Sequence, residues 1–321
     1  MRDDRGMRVA AVQLDARLGA VDDNLAACER LVAAACAEGA EVVALPEFFT
    51  TGIGFVPELA EAALPPDGAA TVFLAETARR HGIHLGGSFL CDDPDGECRN
   101  AYLLAGPDGR ILGRHDKDLP TMWENAFYIG GDDSGVIDTG AGWAAGAVVC
   151  WEFMRTQTVH RLCGEVDLVV GGSGWWSVPG NWYPGALMRQ QEAGNAANAR
   201  RAVAEFAGLV GAPVVHGAHC GSLSCRVAFA PLPYRGHFEG GASVVAADGS
   251  TLAYRDHTSG PGHVIAEVTI GSQPPIAVPP KGFWLRDRGA VAAFAWHADG
   301  AAGRRWYRKH RRAKEPTHVA Q

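Results

Sequence analysis

Apolar positions in this chain follow two spacings, continuous short runs and a three-to-four-residue repeat, and the two alternate. Residues 8–15 read Arg-Val-Ala-Ala-Val-Gln-Leu-Asp, a run expected for a buried strand. Asp22, Asp23 and Asn24 then offer N-cap chemistry, and Leu25, Cys28, Leu31, Val32 and Ala35 recur at helical spacing, so a helix is expected to run to about Glu38 and stop at Gly39. Glu41 to Pro46 is the next strand, its unbroken apolar run suited to cover on both faces. A second helix fits Ala69 to His81, with Phe73, Leu74 and Thr77 inward and Gly82 as its C-cap. Ile83 to Leu90 is a strand, and Asn100 to Ala105 pairs with Arg110 to His115 around Pro107-Asp108-Gly109, a strong hairpin signal.

The second half reads much the same. Strands are expected at Val136 to Thr139, Ala144 to Cys150, Leu168 to Gly171 and Val214 to Ala218, with helices over Thr156 to Cys163 and Pro184 to Gly208. A second hairpin runs from Ala242 to Ala246, turns at Asp248-Gly249 and returns over Thr251 to Arg255, and Val264 to Val268 closes the series. The two hairpins look like counterparts. Two sheets packed face to face with helices outside would use this order, because a strand flanked by helices needs cover on its other face. No Pro- or Ser-rich linker separates the halves, so residues 1–280 read as one domain and 281–321 as a C-terminal extension.

Composition fits a globular unit. The chain has 321 residues, 47% apolar and 20% charged, close to soluble averages. The longest apolar runs are strand-sized, such as Val148-Val149-Cys150-Trp151, and no secretory signal pattern follows Met1, so a cytoplasmic location and no membrane partner are expected. Eight cysteines without a C-x-x-C pair point to thiols rather than disulfides or zinc; Cys91 and Cys98 flank a turn and read as exposed thiols that oxidation could join. A net charge of −7 argues against nucleic acid as a partner. The C-terminal run of Arg304, Arg305, Arg308, Lys309, Arg311, Arg312 and Lys314 has the opposite sign and reads as a solvated or subunit-bridging arm.

Three residues could do chemistry together. Glu47 leaves the carboxyl end of a buried strand, where α/β folds present side chains to a cleft. Lys117 lies just beyond the first hairpin, and Cys150 ends a strand. Singly, each has a plainer reading: a surface carboxylate, a solvated lysine, a small core residue. Jointly they supply what covalent catalysis by a thiol needs. A thiol is mostly protonated at neutral pH and requires a base. A desolvated carboxylate can serve as that base, and an ammonium group can hold a developing oxyanion.

Here the sequence resembles the nitrilase, or carbon–nitrogen hydrolase, superfamily. The resemblance rests on Leu45-Pro46-Glu47, Lys117-Asp118-Leu119-Pro120 and Val148-Val149-Cys150-Trp151-Glu152 in that order, and continues through Gly241-Ala242-Ser243-Val244-Val245-Ala246-Ala247-Asp248-Gly249. It implies a four-layer α-β-β-α sandwich, a homodimer or higher homo-oligomer, and no metal or organic cofactor. It also implies Glu47 as general base, Lys117 as stabiliser and Cys150 as nucleophile. The family often carries a second acid after the lysine, which orients the lysine and the substrate nitrogen; Lys117-Asp118-Leu119-Pro120-Thr121-Met122-Trp123-Glu124 makes Glu124 the candidate. The Lys-x-x-Pro-Thr-x-x-Glu and Cys-Trp-Glu patterns resemble the nitrilase branch, yet Phe153-Met154-Arg155-Thr156-Gln157 lacks the proline usual nearby, so amide and nitrile substrates both stay open.

Substrate contacts are expected from loops after the strands. Trp123, Trp151, Trp175 and Trp176, with Trp182 beyond them, could form an aromatic wall or pack the core. Arg155 could meet a substrate carboxylate or join an ion pair at a helix end. His216 and His219 lack a third metal ligand at any expected spacing and read as packing or loop hydrogen-bonding groups. Three function classes follow for a small-molecule substrate: a hydrolase of a non-peptide C–N bond working through a cysteine thioester, an acyl or amide transferase using the same thioester, or a non-catalytic relative.

Overall fold

In the computed structural model, which describes residues 6–310, the chain opens with β1 (Gly6–Leu14), α1 (Val21–Ala37), β2 (Val42–Ala44), α2 (Ala69–His81) and β3 (His84–Asp92). The first hairpin, β4 (Cys98–Ala105) and β5 (Ile111–Asp116), follows. The second half runs β6 (Val136–Asp138), β7 (Ala144–Val149), α3 (Thr156–Leu162), β8 (Leu168–Ser173), α4 (Gly185–Val210) and β9 (Val214–His219). It continues through β10 (Ser222–Arg226), β11 (Pro233–His237), β12 (Gly240–Val245), β13 (Thr251–Asp256), β14 (Gly262–Thr269) and α5 (Ala290–His310). No helix among the described residues is long and apolar enough to cross a membrane.

The β1 strand shows how the layers form. Its alternate residues divide between two cores: Val9 and Ala11 join the larger cluster, which includes Val148, Val170 and Val214 from the second half. Ala10 and Val12 instead pack with Cys28, Val32 and Ala35 of α1 and Leu74 and Ala78 of α2. One face of the strand therefore meets helices and the other meets strands of the opposite half, which is the period-two rule applied to a doubly covered sheet. The helix spacings do the same work, since Cys28, Val32 and Ala35 are the buried stripe of α1 and Gly82, at φ 66°, ends α2 by bonding Ala78 O. Helix α1 starts at Val21, earlier than the Asp22–Asn24 cap suggested. Asp22 and Asp23 sit in its first turn, where the helix dipole favours them. Asn24 is buried and ties the loop before the helix, accepting from Arg17 N at 2.9 Å and donating to Thr50 O at 2.9 Å.

The halves repeat one topology. Strand order is β5-β4-β3-β2-β1 with β14 on the far side of β1, and β6-β7-β8-β9 with β12 and β13 beyond β9. In each half three parallel strands are flanked by antiparallel ones, and the hairpins β4–β5 and β12–β13 occupy matching places. Their turn glycines match too. Gly109 (φ 83°) lies over Ala75 O of α2, and Gly249 (φ 84°) over Ala204 O of α4, each where a Cβ would come within 3.0 Å of that carbonyl. The expectation of two face-to-face sheets needs one refinement. The halves are hydrogen-bonded into a single twelve-stranded sheet, because β1 pairs with β9 at Gln13/Ala218 and Leu14/His219.

Three elements were not legible in the pattern. The β10–β11 hairpin is short and Pro-interrupted, and α5 is rich in Ala and Gly with little apolar contrast. Helix α5 belongs to the 281–321 extension, and its described part folds back on the same chain. A Cβ at Gly303 would stand 2.9 Å from Ala126 N, Arg304 donates to Asn125 Oδ1 at 3.0 Å, and Tyr307 bonds Cys98 N and Glu97, both at 2.8 Å. Arg304, Arg305, Arg308 and Lys309 lie on this helix, while Arg311, Arg312 and Lys314 fall outside the described residues. Cys91 and Cys98 sit as thiols on adjacent strands and, contrary to expectation, are buried.

Candidate active site

The Leu45-Pro46-Glu47 segment leaves β2 and runs between the halves because two glycines let it pass. A Cβ at Gly172 would lie 2.7 Å from Leu45 O, and one at Gly217 would lie 2.6 Å from Leu45 C. Glu47 arrives with a buried carboxylate whose two oxygens are both engaged. Oε1 accepts from Lys117 Nζ at 2.8 Å and from Asn100 Nδ2 at 2.9 Å, and Oε2 accepts from Gly174 N at 2.8 Å. His219 reaches the Glu47 carbonyl oxygen at 2.6 Å, and His216 reaches Ser173 Oγ at 2.8 Å. Both histidines are thus hydrogen-bonding groups of the interior, one of them fixing the backbone under Glu47.

Lys117 follows β5. Its ammonium lies 2.8 Å from Glu47 Oε1, 2.7 Å from Glu124 Oε2 and 3.2 Å from Thr121 Oγ1. Burial alone would discharge this lysine, but the two carboxylates overcome it and hold its proton well above the ordinary range. Glu124 sits on a 3-10 turn, Met122–Ala126, and its Oε2 also accepts from Thr121 N at 2.7 Å and from the Tyr128 hydroxyl. Burial pushes the Glu124 carboxyl up and the Lys117 charge works against that. Its second oxygen, Oε1, is buried without a partner among the described residues.

Cys150 stands where β7 meets a 3-10 turn, Cys150–Met154. Glu152 fixes that turn by accepting from Val149 N at 2.7 Å, from Asp118 N at 2.9 Å and pairing with His115 Nε2 at 3.0 Å. The thiol shares its surroundings with both acids: one reactive atom each of Glu47, Glu124 and Cys150 lies within 4.8 Å of the others. Burial, and then the negative charge of Glu47, keep the thiol protonated by raising it well above its usual value, with Lys117 opposing.

Backbone strain collects at the same place. The non-glycine residues with positive φ among those described are Phe48 (51°), Met122 (50°) and Cys150 (54°). Each lies in or beside one of the three segments that supply Glu47, Glu124 and Cys150. Such conformations cost about 1–3 kcal/mol apiece and persist where the surroundings impose them.

A cavity of about 40 Å³ opens on Cys150, lined among others by Trp123, Trp151, Trp175, Trp176 and Trp182. The tryptophans, read from sequence as either an aromatic wall or core packing, line this space while being largely buried. Trp123 stacks on Trp176 at 4.3 Å, and Trp151 stacks on Trp296 of α5 at 5.5 Å. Arg155 is not part of that lining. It is buried, pairs with Asp118 at 2.6 Å and lies over the Phe283 ring at 4.9 Å, so its place is in an internal ion pair and not against a ligand. Sequence reasoning missed Asn100, Thr121, Tyr128 and Gly174, which hold the charged groups. Only Thr121 carried a signal, as the first residue of Thr-x-x-Glu.

Comparison with known proteins follows the same line. The family model described as carbon-nitrogen hydrolase matches residues 8–272. An omega-amidase from Danio rerio is 41% identical over 113 residues, 34% of this chain and 39% of that protein. A nitrilase from Pyrococcus abyssi is 29% identical over 163 residues, 49% of this chain and 60% of that protein. The chain thus spans between 39% and 60% of the length of these curated relatives. Among solved structures, an amidase from Nesterenkonia sp. superposes with a TM-score of 0.62 at 23% identity, covering 82% of this chain and 90% of that one. A CN-hydrolase superfamily protein from Xanthomonas campestris, solved with an arsenic adduct in its active site, gives a TM-score of 0.60 at 17% identity, covering 82% and 90%. At those identities the two structures bear on the fold, which they share.

Proposed function

The chain belongs to the carbon–nitrogen hydrolase family, and we propose that it hydrolyses a small, non-peptide amide through a thioester on Cys150. The observation that carries this reading is the buried convergence of one thiol, two carboxylates and one ammonium group, with the thiol lining a cavity. A neutral resting thiol beside an anionic base is the ground state that nucleophilic catalysis by cysteine starts from.

In the proposed reaction Glu47 takes the Cys150 proton as sulfur bonds to the amide carbon. The carbonyl oxygen becomes an oxyanion, held by Lys117 and the backbone N–H after Cys150. Glu124 Oε1, buried and unpartnered, is suited to accept an N–H of the amide nitrogen. Glu47 then returns the proton to nitrogen, the C–N bond breaks, and ammonia or an amine leaves. Water, deprotonated by Glu47, attacks the thioester; a carboxylic acid departs and the thiol is restored. The Danio rerio omega-amidase, the more identical of the two curated relatives, favours an amide over a nitrile.

Ammonia release from a panel of small amides, carbamoyl compounds and nitriles, with and without an added amine acceptor, tests the proposal. Wild-type protein is expected to release ammonia from amides and to carry an acyl mass adduct on Cys150 during turnover. Cys150→Ala and Glu47→Gln should each abolish release while keeping the circular dichroism of the folded chain. Turnover by Cys150→Ala would end this reading, and acyl products formed on the amine in preference to water would make the protein a transferase.

A further inference from the structure

The cavity above Cys150 is unusual in its polarity. Six of its lining residues are aromatic with large faces: Trp123, Trp151, Trp175, Trp176, Trp182 and Tyr234. The rings support one another. Tyr234 stands edge-on to Trp123 at 5.1 Å and to Trp182 at 6.4 Å, and Trp175 tilts against Trp151 at 5.8 Å. No lysine or arginine among the described residues lines this space. Among the described residues the ionisable side chains that do are Cys150, Tyr234 and one carboxyl, Asp299.

Asp299 is a built feature and not a surface acid. It lies on α5, 1% exposed, and Oδ1 takes both hydrogen bonds that the carboxyl accepts, from Ala228 N at 2.7 Å and Phe229 N at 3.3 Å. Those two N–H groups fix its orientation. Among the described residues it has no ion-pair partner, although it is buried. Burial accordingly holds its proton up, at about 6, against the pull of the two N–H groups. Helix α5 also lies beyond residue 272, where the match to the family ends. The charge in this cavity is therefore supplied by a segment outside the part of the chain that the family model describes.

Aromatic faces carry negative charge density, so a ring-walled cavity with one carboxylate and no base attracts an organic cation. An anion there would meet both the rings and Asp299, and a neutral alkyl group would leave the carboxyl buried without a counter-charge. We propose that the substrate is a short primary amide whose acyl chain ends in an ammonium group, seated among these rings with its cation on Asp299. This rests on the amide-hydrolase reading and names the substrate class for it.

The test separates this proposal from the reaction itself by measuring binding to the Cys150→Ala protein. Three series are compared by tryptophan fluorescence and calorimetry at pH 7.5: ω-amino amides of two to four carbons, alkyl amides of equal heavy-atom count, and the matching ω-carboxylate amides. The best ω-amino amide is expected to bind at least tenfold tighter than its alkyl counterpart, with the carboxylate series weakest. Adding Asp299→Asn, which keeps an oxygen for Ala228 N and Phe229 N but removes the charge, should bring the cationic and alkyl series to equal affinity. Equal or tighter binding of alkyl or carboxylate amides, no binding of any ω-amino amide, or a preference unchanged by Asp299→Asn would each overturn the proposal. The charge ranking on Cys150→Ala alone decides the matter should Asp299→Asn not fold. Ammonia release by the wild-type protein from alkyl amides, with no cation preference, would leave the hydrolase reading standing and remove only this one.

Discussion

Lys117 Nζ lies 2.7 Å from Glu124 Oε2, while the other oxygen of that carboxylate is buried and has no partner among the described residues. One end of Glu124 thus meets the ammonium, and the proposed reaction uses the other for the amide nitrogen. Glu124→Gln keeps the volume and removes the charge. It is expected to lower kcat by about 10²-fold or more, since a misplaced charged group costs on that order. KM should change little and the melting temperature should hold, because a neutral amide relieves the crowding of two carboxylates around one lysine. Steady-state kinetics of ammonia release reads both parameters. A loss confined to KM would assign Glu124 to ground-state binding instead.

Arg155 offers a contrasting expectation. Its partner Asp118 also pairs with Arg161 at 2.7 Å, so the carboxylate keeps one cation when Arg155 is removed. Breaking a buried pair costs roughly 3–5 kcal/mol, and the remaining arginine places Arg155→Ala near the lower end. Denaturant titration should show that loss. Kinetics of the folded fraction should show an unaltered KM, as expected of a residue outside the cavity lining.

The glycines beneath Glu47 make a third case. Gly172→Ala and Gly217→Ala each drive a Cβ into backbone atoms of Leu45 or Pro46, a contact that no side-chain rotation relieves. Overpacking of this kind costs typically 1–3 kcal/mol. The displaced segment carries the base, so kcat should fall at least 10²-fold even at temperatures where the variants are fully folded. Retention of wild-type kcat in both variants would show that the Glu47 segment tolerates displacement.

His115 supplies a pH dependence. Burial works against its charge, but Glu152 and Asp133 overcome that and hold the imidazolium to about 10. The folded chain keeps this proton over a range in which the unfolded chain releases it. The resulting stabilisation is complete below the ordinary histidine value near 6.5 and is lost as pH climbs through about 10. It is on the order of a few kcal/mol. The wild-type urea midpoint should therefore fall between pH 7 and pH 10. His115→Gln should be less stable at pH 7 and show a flatter profile across that window.

Much of this protein was written locally. Strand, helix and hairpin spacings placed most elements within a few residues, because each depends on neighbours along the chain: Cys28, Val32 and Ala35 on one helix face, Gly82 at a helix end, Asp108-Gly109 and Asp248-Gly249 at turns. The chemistry was legible too, since a thiol, an acid and a lysine at three strand ends have few other combined uses. Glu124 was named through the resemblance, as the acid that follows the lysine in Lys117-Asp118-Leu119-Pro120-Thr121-Met122-Trp123-Glu124. What the spacing could not convey was which charges meet. Arg155 stands next to the cavity residues in sequence yet turns to Asp118, because a buried guanidinium goes to the nearest carboxylate that tertiary packing brings. Asn100, Gly174 and His219 hold Glu47 from three separate strands or strand ends, a convergence that exists only after the halves close on each other. The same holds for α5. Its Ala- and Gly-rich sequence gives little amphipathic contrast, and only packing against residues 122–126 decides that Asp299 reaches the cavity wall and that Trp296 stacks behind Trp151. The sequence by itself determined the elements, their repetition and the reactive groups, since these follow from local periodicity and side-chain type. Which partner each charge meets and what the pocket will admit were decided by the tertiary structure, because desolvation and contact depend on surfaces far apart in the chain.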